Sequence, residues 1–142
     1  MFEINYKSTY LLIQQCLPYL RKQKGSSIVI ISTYASYKMT LQATHYAITK
    51  LMLNAMTKIL SRVLIPEEIR VNCVCPGIII SEFSKYIWED EKYAEEMRNV
   101  IGIKRFGKVE EISGVVKFLL SDEASYVNGE CMVVAGHPSA RL

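Results

Sequence analysis

Tyr46 and Lys50 could move a proton together, because they stand four residues apart at the head of a long segment with apolar periodicity. In a helix this spacing places both side chains on one face, one turn apart. The tyrosine phenol has an ordinary pKa of about 10, and a neighbouring ammonium favours its ionised form. The pair could therefore act as an acid or a base, although helix surfaces without any catalytic role often share this spacing.

The elements that must position this pair alternate along the chain between strands and helices. Short apolar runs rich in β-branched residues predict strands at 27–32, 69–74 and 131–135. Apolar residues at three- and four-residue steps predict helices at 4–20, 46–63 and 108–120, with a mobile, aromatic-bearing helical excursion over 81–100. This alternation predicts an α/β fold whose parallel strands are joined by right-handed crossovers.

The helix predicted at 46–63 carries two apolar stripes. Their members are Ile48, Met52, Ala55, Ile59 and Val63 in the first stripe, and Leu53, Met56 and Leu60 in the second. A helix that is apolar on two sides is normally buried on both, so we expect this helix to be covered on two sides.

Four polar or turn-forming residues are predicted to meet Tyr46 at one edge of the sheet. Thr33 directly follows the first strand, thirteen residues before Tyr46, and Pro76 and Gly77 end the second strand. Asn5 adds an amide on the preceding helix. Because ligands of open α/β sheets bind beyond the carboxyl ends of the strands, we expect these side chains to line one pocket.

Composition and charge exclude several classes of function. The chain has 142 residues, of which 50% are hydrophobic and 22% charged, as in one globular domain with a core. The net charge of +3 is modest and spread along the chain, which argues against a nucleic acid partner or an anionic membrane. The apolar runs are too short to span a bilayer, and the chain opens without a signal-like segment, so we expect a soluble protein.

The cysteines give no indication of a metal site. Cys16, Cys73, Cys75 and Cys131 form no Cys-x-x-Cys pair and have no histidine at ligand spacing. Cys73 and Cys75 fall on the same face of the second strand, where inert reduced thiols are the simplest interpretation. A reducing compartment fits this pattern.

These motifs, in this order, resemble those of the short-chain dehydrogenase/reductases. The resemblance rests on Asn5, Ser32-Thr33, Tyr46-x-x-x-Lys50, Ile69-Arg70-Val71-Asn72 and Pro76-Gly77, and on Phe118-Leu119-Leu120-Ser121 and Ser125-Tyr126-Val127-Asn128-Gly129-Glu130. More narrowly, the run from Ser81 to Leu142 is similar to the peroxisomal NADP-dependent carbonyl/retinal reductase branch. The resemblance implies a Rossmann-type, doubly wound parallel sheet. Residues 1–142 would form its C-terminal, catalytic half as a partial domain, without the first nucleotide-binding half.

The resemblance also implies a reaction and the residues that perform it. The expected activity is reduction of ketone or aldehyde carbonyls, retinal-like or otherwise lipophilic, by hydride from NADP(H), with NAD not excluded. Tyr46 would donate the proton, and Lys50 would hold the nicotinamide ribose and lower the Tyr46 pKa. Thr33 would polarise the carbonyl, and Asn5 would anchor a water in the proton relay.

Further residues are implied at the cofactor and the substrate. Besides Tyr46 and Lys50, those facing the nicotinamide would be Pro76, Gly77, Ile79 and Ser81. Besides Thr33, those forming a lid over the substrate would be Phe83, Tyr86 and Trp88. An aromatic stripe on a helix can equally serve packing, so both interpretations of these aromatics stay open.

Two departures from the family pattern limit these expectations. Thr33 stands where the family has a catalytic serine, which keeps a hydroxyl but restricts its rotamers, so we expect reduced activity. The seven glycines never fall in G-x-G-x-x-G register, so nothing matches the loop that binds dinucleotide phosphates. The alternatives are therefore an enzyme by family, a catalytically inactive truncated isoform that acts by oligomerising with a full-length relative, and a remnant that does not fold stably.

Partners and localisation are also implied by the resemblance. The helices within 1–22 and 45–63 would form a homodimer or homotetramer, or a hetero-oligomer with a full-length relative. Ala140-Arg141-Leu142 has the small-basic-Leu form of the peroxisomal import tripeptide, so we expect the import receptor as a partner and the peroxisome as the location. The cytoplasm is the alternative.

Overall fold

The computed structural model describes residues 1–39 and 41–136, apart from the side chain of Gln42. Its strands are β1 (Ser27–Ile31), β2 (Arg70–Pro76) and β3 (Cys131–Val134). Its helices are α1 (Ser8–Leu20), α2 (Thr44–Val63), α3 (Lys85–Trp88), α4 (Glu91–Asn99) and α5 (Val109–Leu120), and a π-helical turn at Glu3–Lys7 leads into α1. The tripeptide Ala140-Arg141-Leu142 lies outside the described residues.

The three strands form one parallel sheet in the order β1-β2-β3. In its register Ile30 lies opposite Cys73, and Cys73 lies opposite Cys131. Parallel neighbours need a crossover, which α2 supplies between β1 and β2, and α3 to α5 supply between β2 and β3. The predicted α/β fold with a parallel sheet is confirmed.

Helices cover both faces of this sheet. On one face α1 and α2 contribute Ile13, Leu53 and Met56 to a core with the β2 side chains Val71 and Cys73. On the other face α5 packs Leu119 against Val74 of the same strand. The central strand is therefore buried on both faces, which is why its sequence is apolar without alternation.

The predicted cover on the first stripe of α2 is absent from the part of the chain that the structure describes. Ile59 and Val63 are 62% and 61% exposed, whereas Leu53 in the second stripe is 1% exposed. On α1, Leu12 and Tyr19 are also exposed. The expectation that α2 is covered on two sides is wrong for the single chain, because only one of its stripes packs on the sheet.

The segment over 81–100 is helical, as predicted, and it builds a small core of its own. A 3-10 turn at Glu82–Ser84 leads into α3, and α4 follows after a two-residue break. Ala94 of α4 is fully buried and packs with Ile101 and Phe106. Of the aromatic residues in this segment, Trp88 packs against this core, whereas Phe83, Tyr86 and Tyr93 are exposed.

Cys73 and Cys75 lie on the same face of β2, as predicted, with their sulfur atoms 3.9 Å apart. Both thiols are buried and reduced. In the described ranges, no three His, Cys, Asp or Glu side chains are grouped so that they could hold a metal ion. None of the helices described has the length and apolar content needed to cross a membrane.

Polar side chains of β2 fix the loop that leads into β3. Asn72 is fully buried, and its amide donates to the Val127 carbonyl at 2.8 Å and accepts from the Glu130 N–H at 2.9 Å. The Arg70 guanidinium donates to the carbonyls of Leu119 and Ser121. The motif over 69–72 is therefore a structural element that joins β2 to the segment before β3.

Replacing Asn72 by alanine should lower the free energy of unfolding by about 2–4 kcal/mol, because a buried carbonyl and a buried N–H would lose their partners. Urea unfolding followed by circular dichroism measures the change. The matched control is Asn99→Ala, since Asn99 is exposed at the end of α4, and its effect should stay within about 0.5 kcal/mol. Equal losses in both variants would contradict a structural role for Asn72.

Candidate active site

Tyr46 and Thr33 meet at the carboxyl end of β1. Thr33 begins the loop after β1, and Tyr46 lies in the first turn of α2. The Thr33 hydroxyl lies near enough to the Tyr46 phenol to lower its pKa. The Thr33 hydroxyl also lies 3.5 Å from the carbonyl oxygen of Pro76, at the end of β2. Three of the predicted residues thus converge at one edge of the sheet, where two strands end.

Burial sets the acidity of Tyr46. Tyr46 is half-buried, and desolvation of its phenolate raises the pKa, while the Thr33 hydroxyl lowers the pKa and nearby Tyr86 raises it further. The net effect is a Tyr46 pKa above the ordinary tyrosine value. The upward shift follows from burial, which outweighs the Thr33 hydroxyl, and the lowering of the Tyr46 pKa by Lys50 stays a prediction.

Lys50 is bound to the backbone of β1. Its ammonium donates to the Ile31 carbonyl at 3.1 Å and lies 5.9 Å from the centre of the Tyr46 ring. Burial lowers the Lys50 pKa, and the nearby thiols of Cys73 and Cys75 partly oppose this shift. The predicted arrangement, with Tyr46 and Lys50 one turn apart on one face, is present.

Ser32 and Thr49 support this pair from behind. Ser32 is buried, and its hydroxyl donates to the Lys50 carbonyl at 2.9 Å, so it has a structural role and ties the end of β1 to α2. Thr49 donates to the Tyr46 carbonyl at 2.8 Å and accepts from the Asn5 amide at 3.1 Å. Asn5 therefore reaches the first turn of α2 through Thr49.

The role of Thr49 is not among the predictions from the sequence. A buried threonine three residues after Tyr46, inside a helix, offered a signal, because its hydroxyl can bond back to the carbonyl one turn earlier. The water-anchoring role implied for Asn5 stays a prediction.

The loop after β2 is held close to β3. The Gly77 N–H donates to the Val134 carbonyl at 3.0 Å, and a Cβ added at Gly77 would lie 2.8 Å from Cα of Ala135. Only glycine allows this approach. Ile79 pairs with Gly107 in an isolated bridge, further along the same loop. Pro76, Gly77 and Ile79, which the resemblance implies at the cofactor, therefore lie in sequence along the loop that leaves the end of β2.

Ser81 ends this loop as the cap of a turn. Its backbone N–H and its hydroxyl both bond to the Ser84 hydroxyl, and its carbonyl accepts the Trp88 indole N–H at 3.1 Å. Trp88 is half-buried and packs against the core around Ala94. Trp88 thus anchors the 81–100 segment, which favours the packing interpretation for this aromatic residue.

Phe83 and Tyr86 lie on the solvent side of Tyr46. The Phe83 ring centre is 6.0 Å from that of Tyr46, although 74% of the Phe83 surface is exposed. Tyr86 is also exposed and lies near enough to raise the Tyr46 pKa. Two of the three predicted lid aromatics therefore lie near Tyr46, whereas Trp88 packs into the core around Ala94.

The sequence was compared with protein families and with curated proteins. A family model described as enoyl-(acyl carrier protein) reductase matches residues 1–136. Dehydrogenase/reductase SDR family member 4 from Bos taurus is 41% identical over 142 residues, which is 100% of this chain and 51% of the bovine protein.

Solved structures show the same fold. A short-chain type dehydrogenase/reductase from Mycobacterium ulcerans superposes with a TM-score of 0.90 at 26% identity, covering 95% of this chain and 49% of that one. Pseudomonas aeruginosa RhlG, solved as an active-site complex with NADP, gives a TM-score of 0.89 at 27% identity, covering 95% and 55%.

The chain spans about half the length of the curated relatives it matches. Its match to the family model covers nearly every residue, and the motifs that carry the sequence resemblance fall within that match. The chain therefore belongs to the short-chain dehydrogenase/reductase family, a family of oxidoreductases, and corresponds to the C-terminal half of its members.

Proposed function

We propose that this chain supplies the carbonyl-reducing half of an NADP(H)-dependent oxidoreductase, with Tyr46 as the proton donor. The observation that carries the proposal is the convergence of Tyr46 and Thr33 at the carboxyl ends of β1 and β2, where the Thr33 hydroxyl lies 3.5 Å from the Pro76 carbonyl oxygen and lowers the Tyr46 pKa. In open parallel sheets this edge is where ligands bind. Residues 1–142 would act as one partial domain that carries the catalytic side chains.

The side chains at this edge fit the nicotinamide end of the cofactor. Tyr46 offers a hydroxyl and Lys50 an ammonium, one turn apart, and both can bond to ribose hydroxyls. Pro76 and Gly77 would line the nicotinamide from the β2 side, with Ile79 and Ser81 beyond them. In residues 1–39 and 41–136, no Gly-rich turn leads into a helix in the way that dinucleotide phosphates require. The chain therefore fits one end of the cofactor.

When bound, NADP(H) supplies a hydride to the carbonyl carbon of the substrate. The carbonyl oxygen then takes the proton of the Tyr46 hydroxyl, and an alcohol results. The raised pKa of Tyr46 keeps the phenol protonated at neutral pH, as a proton donor requires. The Thr33 hydroxyl can donate to the same oxygen, because its contact with the Pro76 carbonyl is long and weak.

The flanking aromatics support a lipophilic carbonyl substrate, such as a retinal-like aldehyde or ketone. Phe83 and Tyr86 are exposed beside Tyr46, so they can pack on an apolar substrate without any rearrangement of the core. Thr33 is a weaker partner for the carbonyl than the serine it replaces, since its methyl group limits the hydroxyl to fewer rotamers.

A second candidate function follows from the exposed stripes on α1 and α2. Leu12, Ile59 and Val63 are each more than half exposed, and apolar surface of this kind marks protein interfaces. The chain would then form a dimer, a tetramer or a mixed oligomer with a full-length relative, without catalysing a reaction itself. Import into the peroxisome through Ala140-Arg141-Leu142 is compatible with both candidates and stays a prediction from the sequence.

NADPH binding tests the first candidate. Fluorescence titration of the purified chain should show binding that Lys50→Ala weakens about tenfold or more, because a hydrogen bond from a charged donor is lost. Tyr46→Phe should weaken binding less. The control is Lys117→Ala, which removes the same charge from an exposed position on α5. Binding that Lys50→Ala leaves unchanged would contradict the site, and no binding at high NADPH would favour the second candidate.

The raised pKa of Tyr46 predicts its titration. The phenol should ionise above its ordinary pKa of about 10, so the neutral form that donates a proton should persist into alkaline solution. The difference in near-ultraviolet absorbance between the native chain and Tyr46→Phe isolates this residue from the other tyrosines. Thr33→Val should raise the Tyr46 pKa further, and Thr33→Ser should not. Ionisation below the ordinary value would contradict the dominance of burial.

The exposed stripe on α2 predicts self-association. Ile59→Glu should weaken the oligomer about tenfold or more in sedimentation velocity, because a carboxylate would be placed in an apolar contact. Val100→Glu is the matched control, since Val100 is also exposed but lies after α4. A chain that is monomeric at all concentrations, or equal effects of both variants, would remove this interface.

A further inference from the structure

A buried polar pair lies behind Thr33, between α2 and the loop that follows β1. The pair consists of Asn54, about two turns beyond Tyr46 on α2, and Ser36 in the loop, and both side chains are buried. The Asn54 amide donates to the Ser36 hydroxyl at 2.8 Å. That hydroxyl donates in turn to the Thr33 carbonyl at 2.7 Å. A chain of hydrogen bonds therefore runs from the middle of α2 to the backbone of Thr33.

The other end of the Asn54 amide faces β2. Its oxygen lies 3.8 Å and 3.7 Å from the sulfur atoms of Cys73 and Cys75. Thiols are weak donors, so the bond to Ser36 is the stronger contact of this amide. A polar side chain is costly in a buried position unless it is hydrogen-bonded, and an apolar side chain could fill the space against β2. The polarity of Asn54 is therefore explained by the loop that it holds.

The orientation of Thr33 depends on this chain of hydrogen bonds. The Thr33 hydroxyl accepts the Ala35 N–H at 3.3 Å and lies 3.5 Å from the Pro76 carbonyl oxygen, and both contacts are long and weak. Because threonine is β-branched, few rotamers are open to its hydroxyl, and the position of its backbone decides where the hydroxyl points. The short bond from Ser36 fixes that backbone.

We propose that Asn54 is a positioning residue for Thr33 and acts through the Ser36 hydroxyl. Asn54 and Tyr46 belong to the same helix, so the buried pair fixes the loop after β1 relative to the phenol. The catalytic meaning of this contact rests on the proposed function, in which Thr33 polarises a carbonyl and Tyr46 protonates it. The effect of Asn54 on the orientation of Thr33 does not depend on that function.

The titration of Tyr46 tests the proposal, because the Thr33 hydroxyl lowers the Tyr46 pKa. Asn54→Leu and Ser36→Ala should each raise this pKa towards the value in Thr33→Val, since the hydroxyl is no longer held beside the phenol. Near-ultraviolet absorbance measures the change, with each variant compared against the same variant carrying Tyr46→Phe. The double variant should raise the pKa no further than the larger single effect, because both substitutions break one chain of hydrogen bonds.

Thr57→Val is the matched control. Thr57 is also buried on α2, and its hydroxyl donates to the Leu53 carbonyl at 2.9 Å, so the substitution removes a buried hydrogen bond from the same helix. It should leave the Tyr46 pKa unchanged. A general loosening of α2 would hydrate the phenol and lower its pKa, which is the opposite direction. Lys50 and Tyr86, which also lie near the phenol, are unchanged in every variant.

Nuclear magnetic resonance measures the orientation of Thr33 directly. The three-bond couplings of the Thr33 methyl group to its backbone nitrogen and carbonyl carbon report the side-chain rotamer. They should indicate one rotamer in the native chain and in Thr57→Val. In Asn54→Leu and Ser36→Ala they should average over several rotamers, because the backbone of Thr33 is released.

Three outcomes would overturn the proposal. They are Thr33 couplings that both variants leave unchanged, a Tyr46 pKa that neither variant raises although Thr33→Val does, and an equal rise in Thr57→Val. Circular dichroism verifies that the variants are folded, and if Asn54→Leu is not, Ser36→Ala and its couplings decide. These readouts need no NADPH. A chain that binds no NADPH would therefore contradict the proposed function and leave the role of Asn54 to be decided by the titration and the couplings.

Discussion

The parallel pairing of β1 with β2 is the constraint on which the site depends. Ile31 lies opposite Val74, so both strands end at the same edge and release Thr33 and Pro76 side by side. A slip of one residue would turn every side chain of β1 to the opposite face and separate these groups. Burial of β2 on both faces opposes that slip, because five of its seven side chains are buried and would all change face.

The packing of α2 on this sheet then places Tyr46. Leu53 and Met56 hold the helix against β2, and the small side chains of Cys73 and Cys75 let the helix approach closely. The buried amide of Asn54 contacts both sulfur atoms through its oxygen and donates to a serine after β1. The height of Tyr46 above the sheet therefore follows from contacts two turns further along the helix.

The sequence predicted the elements and their convergence, because both follow from local periodicity and from the geometry of parallel sheets. It could not predict the direction in which the Tyr46 pKa shifts, because that shift depends on how much of the phenol is buried. It also predicted cover on both stripes of α2, although periodicity reports which face is apolar and not what lies against it. Periodicity also left open whether Trp88 packs in the core or covers the substrate. The hydrogen bond from its indole N–H to the Ser81 carbonyl depends on how the loop folds, which periodicity does not report.

Lys50 connects the edge of the sheet to the candidate site, because its ammonium bonds the Ile31 carbonyl and lies 5.9 Å from the centre of the Tyr46 ring. Where it bonds the Ile31 carbonyl it satisfies a backbone acceptor and loses part of its hydration, which is why its pKa falls. An ammonium held in this way has fewer donors to offer a ribose hydroxyl. In the proposed function, the backbone carbonyl of Ile31 and the ribose hydroxyl therefore compete for the same ammonium.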